Sequence, residues 1–327
     1  MAAVPMPHFT WALLVVLLAT PAFAQRADRS YPPSFPDAKT AVYKTASDTE
    51  LRLYVFNPEG WKDSDRRPAV VFFFGGGWQN GSPTQFAEQS RYLAKRGMVA
   101  ICADYRVASR QKVSPIECVE DARSAMAYVR ENAARLGIDP QRIAAAGGSA
   151  GGHLAACMGV IEQSDQASRE TTSGRANALV LFNPAVQLAA FEGDDAALGA
   201  AAIARMDDRT GGRAKEISPI HHVGEQEPPT LILHGVDDTT VPFSTVQRFG
   251  EVMRKHGNRC EVVGFKGAGH GFFNARRGDE TLHKATTRLM DEFFVSLGWL
   301  DGEPSLPTSI DEDRLVREGV EKESASR

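Results

Sequence analysis

The sequence predicts an α/β fold with a mostly parallel central sheet, helices on both faces and an N-terminal antiparallel hairpin. Two observations predict this class. Short apolar runs alternate with longer amphipathic segments through most of the chain, which is typical of repeated βαβ units. Several of these runs are continuously apolar, as expected for parallel strands that are buried on both faces.

The first 38 residues precede this alternation and are predicted to lie outside the folded domain. Residues 1–24 fit a secretory signal, because an apolar core at Trp11–Ala19 is followed by the small-residue cleavage pattern Ala22-Phe23-Ala24. The core is too short to span a bilayer. We therefore expect an exported protein, periplasmic or secreted, without stable membrane insertion after cleavage. An uncleaved anchor and a misassigned start are the alternatives. Residues 25–38 are predicted to form an extended leader.

The predicted domain covers residues 39–300 and begins with two β-like runs around the turn signal Ser47-Asp48-Thr49, which indicates a hairpin at the sheet edge. The later strands are predicted, in chain order, at Ala69–Phe74, Val99–Ala103, Arg142–Ala146, Ala178–Phe182, Thr230–His234 and Cys260–Phe265. The helices are predicted at Pro115–Leu136, Ala150–Ile161, Ser244–His256 and Asp279–Leu297.

Three segments depart from the βαβ pattern. Residues 163–176 are polar and show no core pattern. Residues 186–217 are predicted to form an insertion over the C-terminal edge of the sheet, a possible cap or specificity loop. Residues 301–327 are charged and low in apolar content, so they are predicted to form a mobile tail.

The composition limits the classes of partner. Of the 327 residues, 43% are hydrophobic and 24% charged, and the net charge of −4 argues against a nucleic-acid surface, which needs a clustered basic face. We therefore predict no nucleic-acid partner. The sequence makes no prediction of the oligomeric state.

The four cysteines are Cys102, Cys118, Cys157 and Cys260. An exported protein can keep disulfides, and four cysteines allow three full pairings, among which sequence cannot choose. Cys118 and Cys157 fall on neighbouring helices of the predicted fold, so this pair is favoured. The alternative is four small buried hydrophobic residues. No cysteine or histidine spacing indicates a zinc site.

The run Gly147-Gly148-Ser149-Ala150-Gly151 matches G-x-S-x-G between a predicted strand and a predicted helix. In this tight turn the nucleophile lies on a strained backbone, so the residues two before and two after it must lack side chains that would collide. Ser149 is therefore the candidate nucleophile. The alternative is a glycine turn in which the serine caps the helix.

A serine hydroxyl needs a base that takes its proton. His270 lies in the glycine-rich run Gly267–Phe272 after the last predicted strand, where the glycines leave the imidazole room to reach over the sheet. It is the candidate base. Activity should therefore fall at acid pH, as protonation removes the base. The acid that orients the base should follow an earlier strand, and two adjacent residues, Asp237 and Asp238, compete for this role.

The glycine loop, defined as Phe74–Trp78, is the candidate oxyanion site. Glycines let backbone N–H groups approach a substrate oxygen closely, and the predicted donors are the amides of Ala150 and of Gly76 or Gly77. The alternative is a phosphate-binding loop, but no P-loop Lys-Ser/Thr pattern follows. Trp78 and Phe86 are predicted either to bind substrate at a pocket mouth or to pack in the core. Asp104-Tyr105-Arg106 is predicted to support the glycine loop through an ion pair and a hydroxyl contact.

These motifs together resemble the α/β-hydrolase carboxylesterases of the hormone-sensitive-lipase, acetyl-xylan-esterase and feruloyl-esterase-like kind (BD-FAE-like). The resemblance spans residues 40–297 and implies the α/β-hydrolase fold. It also implies a Ser149, Asp238 and His270 triad, since it aligns Asp238 with the acid of His-Gly-x-x-Asp-x-x-Val-Pro. One position departs from the pattern. Many relatives have histidine before the three glycines, where this chain has Phe74.

The resemblance implies an exported carboxylic-ester hydrolase that removes short acyl groups (acetyl) or feruloyl groups from carbohydrate. The expected partner is a small-molecule or polysaccharide ester, and neither cofactor nor metal is expected. Two alternatives use the same fold. One is a serine peptidase of the prolyl-oligopeptidase type, and the other is a non-catalytic binding domain.

Overall fold

The computed structural model describes residues 31–161, 174–192, 198–275, 279–307 and 310–319. The chain divides into two units, Met1–Pro33 and Ser34–Arg327. The predicted signal at residues 1–24 lies outside the described residues, as does most of the polar stretch 163–176. The elements that follow all belong to the second unit.

The centre of this unit is a mixed sheet, nine-stranded within the described residues, in the order β1-β2-β4-β3-β5-β6-β7-β8-β9. The strands are β1 Lys39–Ala46, β2 Thr49–Phe56, β3 Arg67–Phe73, β4 Val99–Ala103, β5 Ile138–Gly148, β6 Ala178–Phe182, β7 Thr230–Gly235, β8 Cys260–Phe265 and β9 Leu315–Glu318. The six strands from β4 to β8 in that order pair in parallel, whereas β1, β2 and β9 pair antiparallel. The predicted α/β class with its N-terminal hairpin is confirmed.

Helices cover both faces of the sheet. They are α1 Ala87–Lys95, α2 Ala108–Gln111, α3 Pro115–Glu131, α4 Ala150–Val160, α5 Ala200–Thr210, α6 Phe243–Lys255 and α7 Glu280–Ser296. Local sequence sets the start of α3. The Ser114 hydroxyl accepts from the Ile116 amide, the Glu117 carboxylate accepts from the Ser114 amide, and Pro115 occupies the first turn.

The continuous apolar strands divide between two cores because successive side chains point to opposite faces. On β3, Val71 and Phe73 join the core formed with α3, α4 and α6, whereas Val70 and Phe72 join the core formed with α1 and α7. The apolar runs that predicted parallel strands therefore report burial on both faces. This packing fixes the sheet edge at which the functional loops meet.

The C-terminal segment differs from the predicted mobile tail. Leu315–Glu318 forms β9 and pairs antiparallel with β8, from Phe265 opposite Leu315 to Val262 opposite Glu318. The Lys266 amide also donates to the Arg314 carbonyl at 2.9 Å. The segment is held mainly by backbone pairing and is only partly buried. A four-residue strand with two charged side chains therefore carries almost no hydrophobic signal in the sequence.

The favoured Cys118–Cys157 disulfide is absent. All four cysteines, which lie within the described residues, are buried free thiols. The Cys118 thiol donates to the Arg106 carbonyl at 3.2 Å, whereas the Cys157 thiol lies 3.4 Å from His153 Nε2. The two sulfurs thus have separate surroundings, and the alternative of four buried thiols holds.

The predicted insertion at residues 186–217 contains α5 and a 3-10 turn at Ala214–Ile217 among its described residues. Met206 and Ala214 are buried in the core that α3 and α4 share, so these parts of the insertion pack on the domain. Across the part of the chain that the structure describes, no helix combines the length and the apolarity needed to cross a bilayer.

Candidate active site

Ser149 lies at the sharp turn between β5 and α4. Its backbone has φ 55° and ψ −118°, a conformation that residues other than glycine rarely adopt. The flanking glycines are required by close contacts, because a Cβ at Gly147 would lie 2.6 Å from the Phe73 carbonyl oxygen and one at Gly151 would lie 2.0 Å from it. The steric reason for the G-x-S-x-G pattern is therefore present in the structure.

Three side chains from three loops form one hydrogen-bonded chain. Ser149 Oγ lies 2.9 Å from His270 Nε2, and His270 Nδ1 lies 2.7 Å from Asp238 Oδ2. Because a carboxylate only accepts, Nδ1 carries the imidazole proton and Nε2 is left to accept from the serine hydroxyl. The structure thus brings together the three residues that the sequence selects for nucleophile, acid and base.

Asp238 is buried and receives four hydrogen bonds. Oδ1 accepts from the amides of Thr240 and Val241 at 2.8 and 2.9 Å, and Oδ2 accepts from His270 and from Asn183 Nδ2 at 2.8 Å. Burial raises the pKa of Asp238, but the bonds from His270 and the two amides outweigh it and hold this pKa below its ordinary value. The neighbouring Asp237 is exposed. Geometry therefore places Asp238, and not Asp237, against the imidazole.

The glycine loop lies directly against the serine turn. A Cβ at Gly75 would lie 2.7 Å from the Gly148 carbonyl oxygen and 3.3 Å from Ser149 Cβ. The Gly76 carbonyl accepts from the amides of Gln79 and Asn80 at 3.0 and 3.1 Å. Since N–H and C=O point oppositely in a trans peptide, the Gly77 N–H is directed away from that turn.

Ala150 is the first residue of α4, so its N–H has no acceptor within the helix. The amides of Ala150 and Gly77 thus belong to two backbone segments that meet beside Ser149. Backbone donors in such an arrangement suit a tetrahedral intermediate whose oxygen carries negative charge.

The BD-FAE family model matches residues 53–253, which is more than half of the chain and includes the glycine loop, Ser149 and Asp238. The chain belongs to the BD-FAE family. The resemblance drawn from the motifs is thereby confirmed.

Solved structures agree with this membership of the BD-FAE family. Butyrate-bound esterase 2 of Thermogutta terrifontis is 49% identical, with a TM-score of 0.79 over 84% of this chain and 99% of that one. The same esterase phosphorylated by paraoxon is 48% identical, with a TM-score of 0.75 over 84% and 99%.

Two curated relatives are also similar. Esterase LipC of Mycobacterium tuberculosis is 32% identical over 228 residues, 64% of this chain and 55% of LipC. The isoprenylcysteine alpha-carbonyl methylesterase ICME of Arabidopsis thaliana is 27% identical over 276 residues, 78% of this chain and 61% of that protein. The chain thus spans little more than half the length of these curated relatives. The matches place the described α/β-hydrolase domain among the carboxylic-ester hydrolases.

Asn183 is a residue of this BD-FAE site that no sequence motif indicated. It follows β6, is fully buried, and has φ 44°. Its Nδ2 donates to the same carboxylate oxygen of Asp238 that contacts His270. A polar residue directly after a buried parallel strand is a usable signal, because ligand and catalytic groups collect at that edge of such sheets.

Trp78 and Phe86 do not line a pocket mouth, and the packing alternative explains both. The Trp78 side chain is buried, 6% exposed, and its Nε1 donates to His153 Nδ1 at 3.2 Å. Phe86 is 1% exposed and stacks on Phe72 and Phe273, with ring centroids 4.9 and 5.6 Å away. Their prediction as substrate-binding residues is therefore corrected. Apolar side chains in this region of the sequence are used for the core.

The Asp104-Tyr105-Arg106 run supports the glycine loop as predicted. The Tyr105 hydroxyl donates to the Phe74 carbonyl at 2.6 Å, and its ring stacks on the Phe74 ring at 4.1 Å. Arg106 pairs with the buried carboxylate of Asp121 at 2.7 Å. The Phe74 ring thus packs against Tyr105 at the position where many relatives carry histidine.

Gln85 links the glycine loop to the loop that carries His270. Its Oε1 accepts from the Gly75 amide at 2.6 Å, and its Nε2 donates to Asn274 Oδ1 at 2.8 Å. Asn274 in turn donates to the Gly271 carbonyl at 2.7 Å. The side-chain amides of Gln85 and Asn274 therefore hold the two loops together. No sequence motif indicated this role.

Proposed function

We propose that this protein is an exported serine carboxylic-ester hydrolase that removes short acyl groups (acetyl) or feruloyl groups from carbohydrate. The observation that carries the proposal is the hydrogen-bonded chain from Ser149 through His270 to Asp238, which lies beside the glycine loop. Export rests on the signal pattern at residues 1–24, and the carbohydrate substrate rests on the resemblance stated above.

Acylation begins when Ser149 Oγ attacks the ester carbonyl carbon while His270 Nε2 accepts the hydroxyl proton. The carbonyl oxygen becomes an oxyanion and accepts hydrogen bonds from the amides of Ala150 and of Gly76 or Gly77. Asp238 holds the imidazole and stabilises its positive charge. When the carbon–oxygen bond to the alcohol breaks, His270 returns the proton to the leaving oxygen.

Deacylation repeats these roles with water as the nucleophile. His270 Nε2 accepts a proton from a water molecule, whose oxygen attacks the acyl carbonyl carbon. The bond to Ser149 Oγ then breaks, and His270 returns the proton to the serine. The products are a carboxylic acid and the regenerated hydroxyl of Ser149, so no redox cofactor enters the balance.

The preference for short acyl groups draws support from esterase 2 of Thermogutta terrifontis, which was solved with butyrate bound. A series of p-nitrophenyl esters from acetyl to dodecanoyl tests this preference. We expect the highest kcat/KM at two to four carbons, about the length of bound butyrate. A maximum at dodecanoyl would contradict the proposed acyl specificity.

The alcohol part requires natural substrates. Acetylated xylan, methyl ferulate and an isoprenylcysteine α-carbonyl methyl ester should be compared at equal active-site concentration. Release of acetate from xylan or of ferulic acid supports the carbohydrate proposal. Turnover of the isoprenylcysteine ester alone would replace it with the activity for which the relative ICME is named.

A further inference from the structure

The glycine loop has an unusual backbone next to the proposed oxyanion site. Three consecutive residues have positive φ, with Gly76 at 129°, Gly77 at 62° and Trp78 at 58°. Glycine adopts such values freely, but a tryptophan in the left-handed region is strained by its Cβ. Such a conformation persists only where surrounding contacts fix it. The contacts that fix Trp78 are therefore part of how the loop presents its amides.

Arg209, near the end of α5, supplies two of these contacts. Its Nη2 donates to the Gly77 carbonyl at 2.7 Å, and its guanidinium lies over the Trp78 ring, 5.2 Å from the centroid. The planar, always charged guanidinium suits this double contact, one edge donating to a carbonyl and one face covering an aromatic ring. The same arginine thus fixes both the peptide and the side chain of the strained residue.

Two further contacts complete the hold on Trp78. Its carbonyl accepts from the Ala108 amide at 3.0 Å, and its indole donates to His153 Nδ1 at 3.2 Å. These partners belong to α2 and α4, which lie outside the segment predicted to be an insertion. Arg209 is different because it lies within that segment.

Among the described residues, no carboxylate forms an ion pair with Arg209. Burial lowers the pKa of this guanidinium, which is half-buried against neutral groups. Withdrawing a cation from water costs free energy, so the contacts with the glycine loop need to outweigh that cost. A purely scaffolding position would be filled more easily by an apolar side chain.

We propose that Arg209 is a positioning residue through which α5 sets the geometry of the oxyanion site. By holding the Gly77 carbonyl and the Trp78 ring, it fixes the Gly77–Trp78 peptide. This peptide adjoins the one that carries the Gly77 N–H, so its position sets the direction of that donor toward the oxyanion. The inference rests on the proposed function, since it concerns the transition state of ester hydrolysis.

The test compares Arg209→Met and Arg209→Lys with a control, Arg205→Met, which removes an exposed arginine from the same helix. Rates with p-nitrophenyl acetate are expressed per active site titrated with a fluorophosphonate, so that unfolded protein does not count. We expect Arg209→Met to lower kcat about 10-fold with KM nearly unchanged, because the oxyanion exists only in the transition state. Arg209→Lys should be intermediate, and Arg205→Met should match the wild type.

A trifluoromethyl ketone gives an independent readout. It adds to the serine to form a tetrahedral oxyanion, so its affinity for Arg209→Met should fall by the same factor as kcat/KM. Loss of titratable sites with unchanged kcat per site would show a structural role only and overturn the inference. So would a change confined to KM. An inactive wild type would instead contradict the proposed function, so the two failures are distinguishable.

Discussion

Asp238 is the buried end of the hydrogen-bonded chain that begins at Ser149, and its hydrogen-bond donors determine its protonation state. Its two oxygens accept four hydrogen bonds, and one donor, Asn183, contacts the oxygen that also holds His270. A carboxylate supplied with this many donors stays ionised. It therefore keeps the proton of His270 on Nδ1 and leaves Nε2 to accept from the serine.

Replacing Asp238 by asparagine should lower kcat by about four orders of magnitude. An amide NH₂ facing the imidazole favours the tautomer that is protonated on Nε2, which cannot take the serine proton. Asp237→Asn is the matched control, because Asp237 is exposed and lies outside the hydrogen-bonded chain. Steady-state rates with p-nitrophenyl acetate measure both. A larger loss in the Asp237 variant would reverse the assignment.

His153 gives a second prediction for single residues, one that concerns stability. Trp78 Nε1 can only donate and the Ile217 carbonyl can only accept, so these partners hold His153 as the neutral Nε2–H tautomer. Burial lowers the pKa of His153 to about 4 from its ordinary 6.5. As the pH falls from 6.5 toward 4, His153 binds a proton in the unfolded chain but stays neutral in the folded chain. The free energy of unfolding therefore decreases as the pH falls.

For His153 alone, the free energy of unfolding should decrease by about 2 kcal/mol between pH 7 and pH 5. Urea unfolding at both values measures this change. His153→Gln should be less stable at pH 7 but should lose less stability on acidification, because it has no proton to bind. An equal loss in both proteins would contradict the neutral state of His153.

At the scale of elements, β9 protects the edge of β8. Its backbone pairs with residues 262–265 of β8, and Glu318 also contacts Gln247 and Arg254 on α6 at 2.7 and 3.3 Å. An unpaired β8 would leave a row of backbone groups open at the edge of the sheet. The strand therefore contributes to the stability of the half of the domain that carries Asp238 and His270.

Ending the chain at Pro307 should lower the free energy of unfolding by about 2–4 kcal/mol, from lost hydrogen bonds worth about 1 kcal/mol each. A chain that ends at Gly319 keeps β9 and serves as the control. Urea denaturation of both measures the difference. Equal midpoints would show that β9 contributes nothing.

At the scale of the whole molecule, the parts with a strong local signal could be predicted from sequence. The parallel strands could be predicted because their apolar runs indicate burial on two faces. The steric need for Gly147 and Gly151 could be predicted as well. The roles of three residues could not be predicted, because each acts through a contact with a residue distant in sequence. These residues are Gln85, Asn183 and Arg209. Trp78 and Phe86 were ambiguous for a related reason, since an aromatic residue after a strand suits a core and a pocket equally.

Covalent labelling by paraoxon tests directly whether Ser149 is the nucleophile. Paraoxon phosphorylates esterase 2 of Thermogutta terrifontis. We expect one equivalent of p-nitrophenol and one diethylphosphoryl group, mapped by mass spectrometry to the peptide with Ser149. Ser149→Ala should take up no label and should not hydrolyse p-nitrophenyl acetate. A label on another residue, or wild-type turnover by Ser149→Ala, would contradict the assignment of Ser149 as the nucleophile.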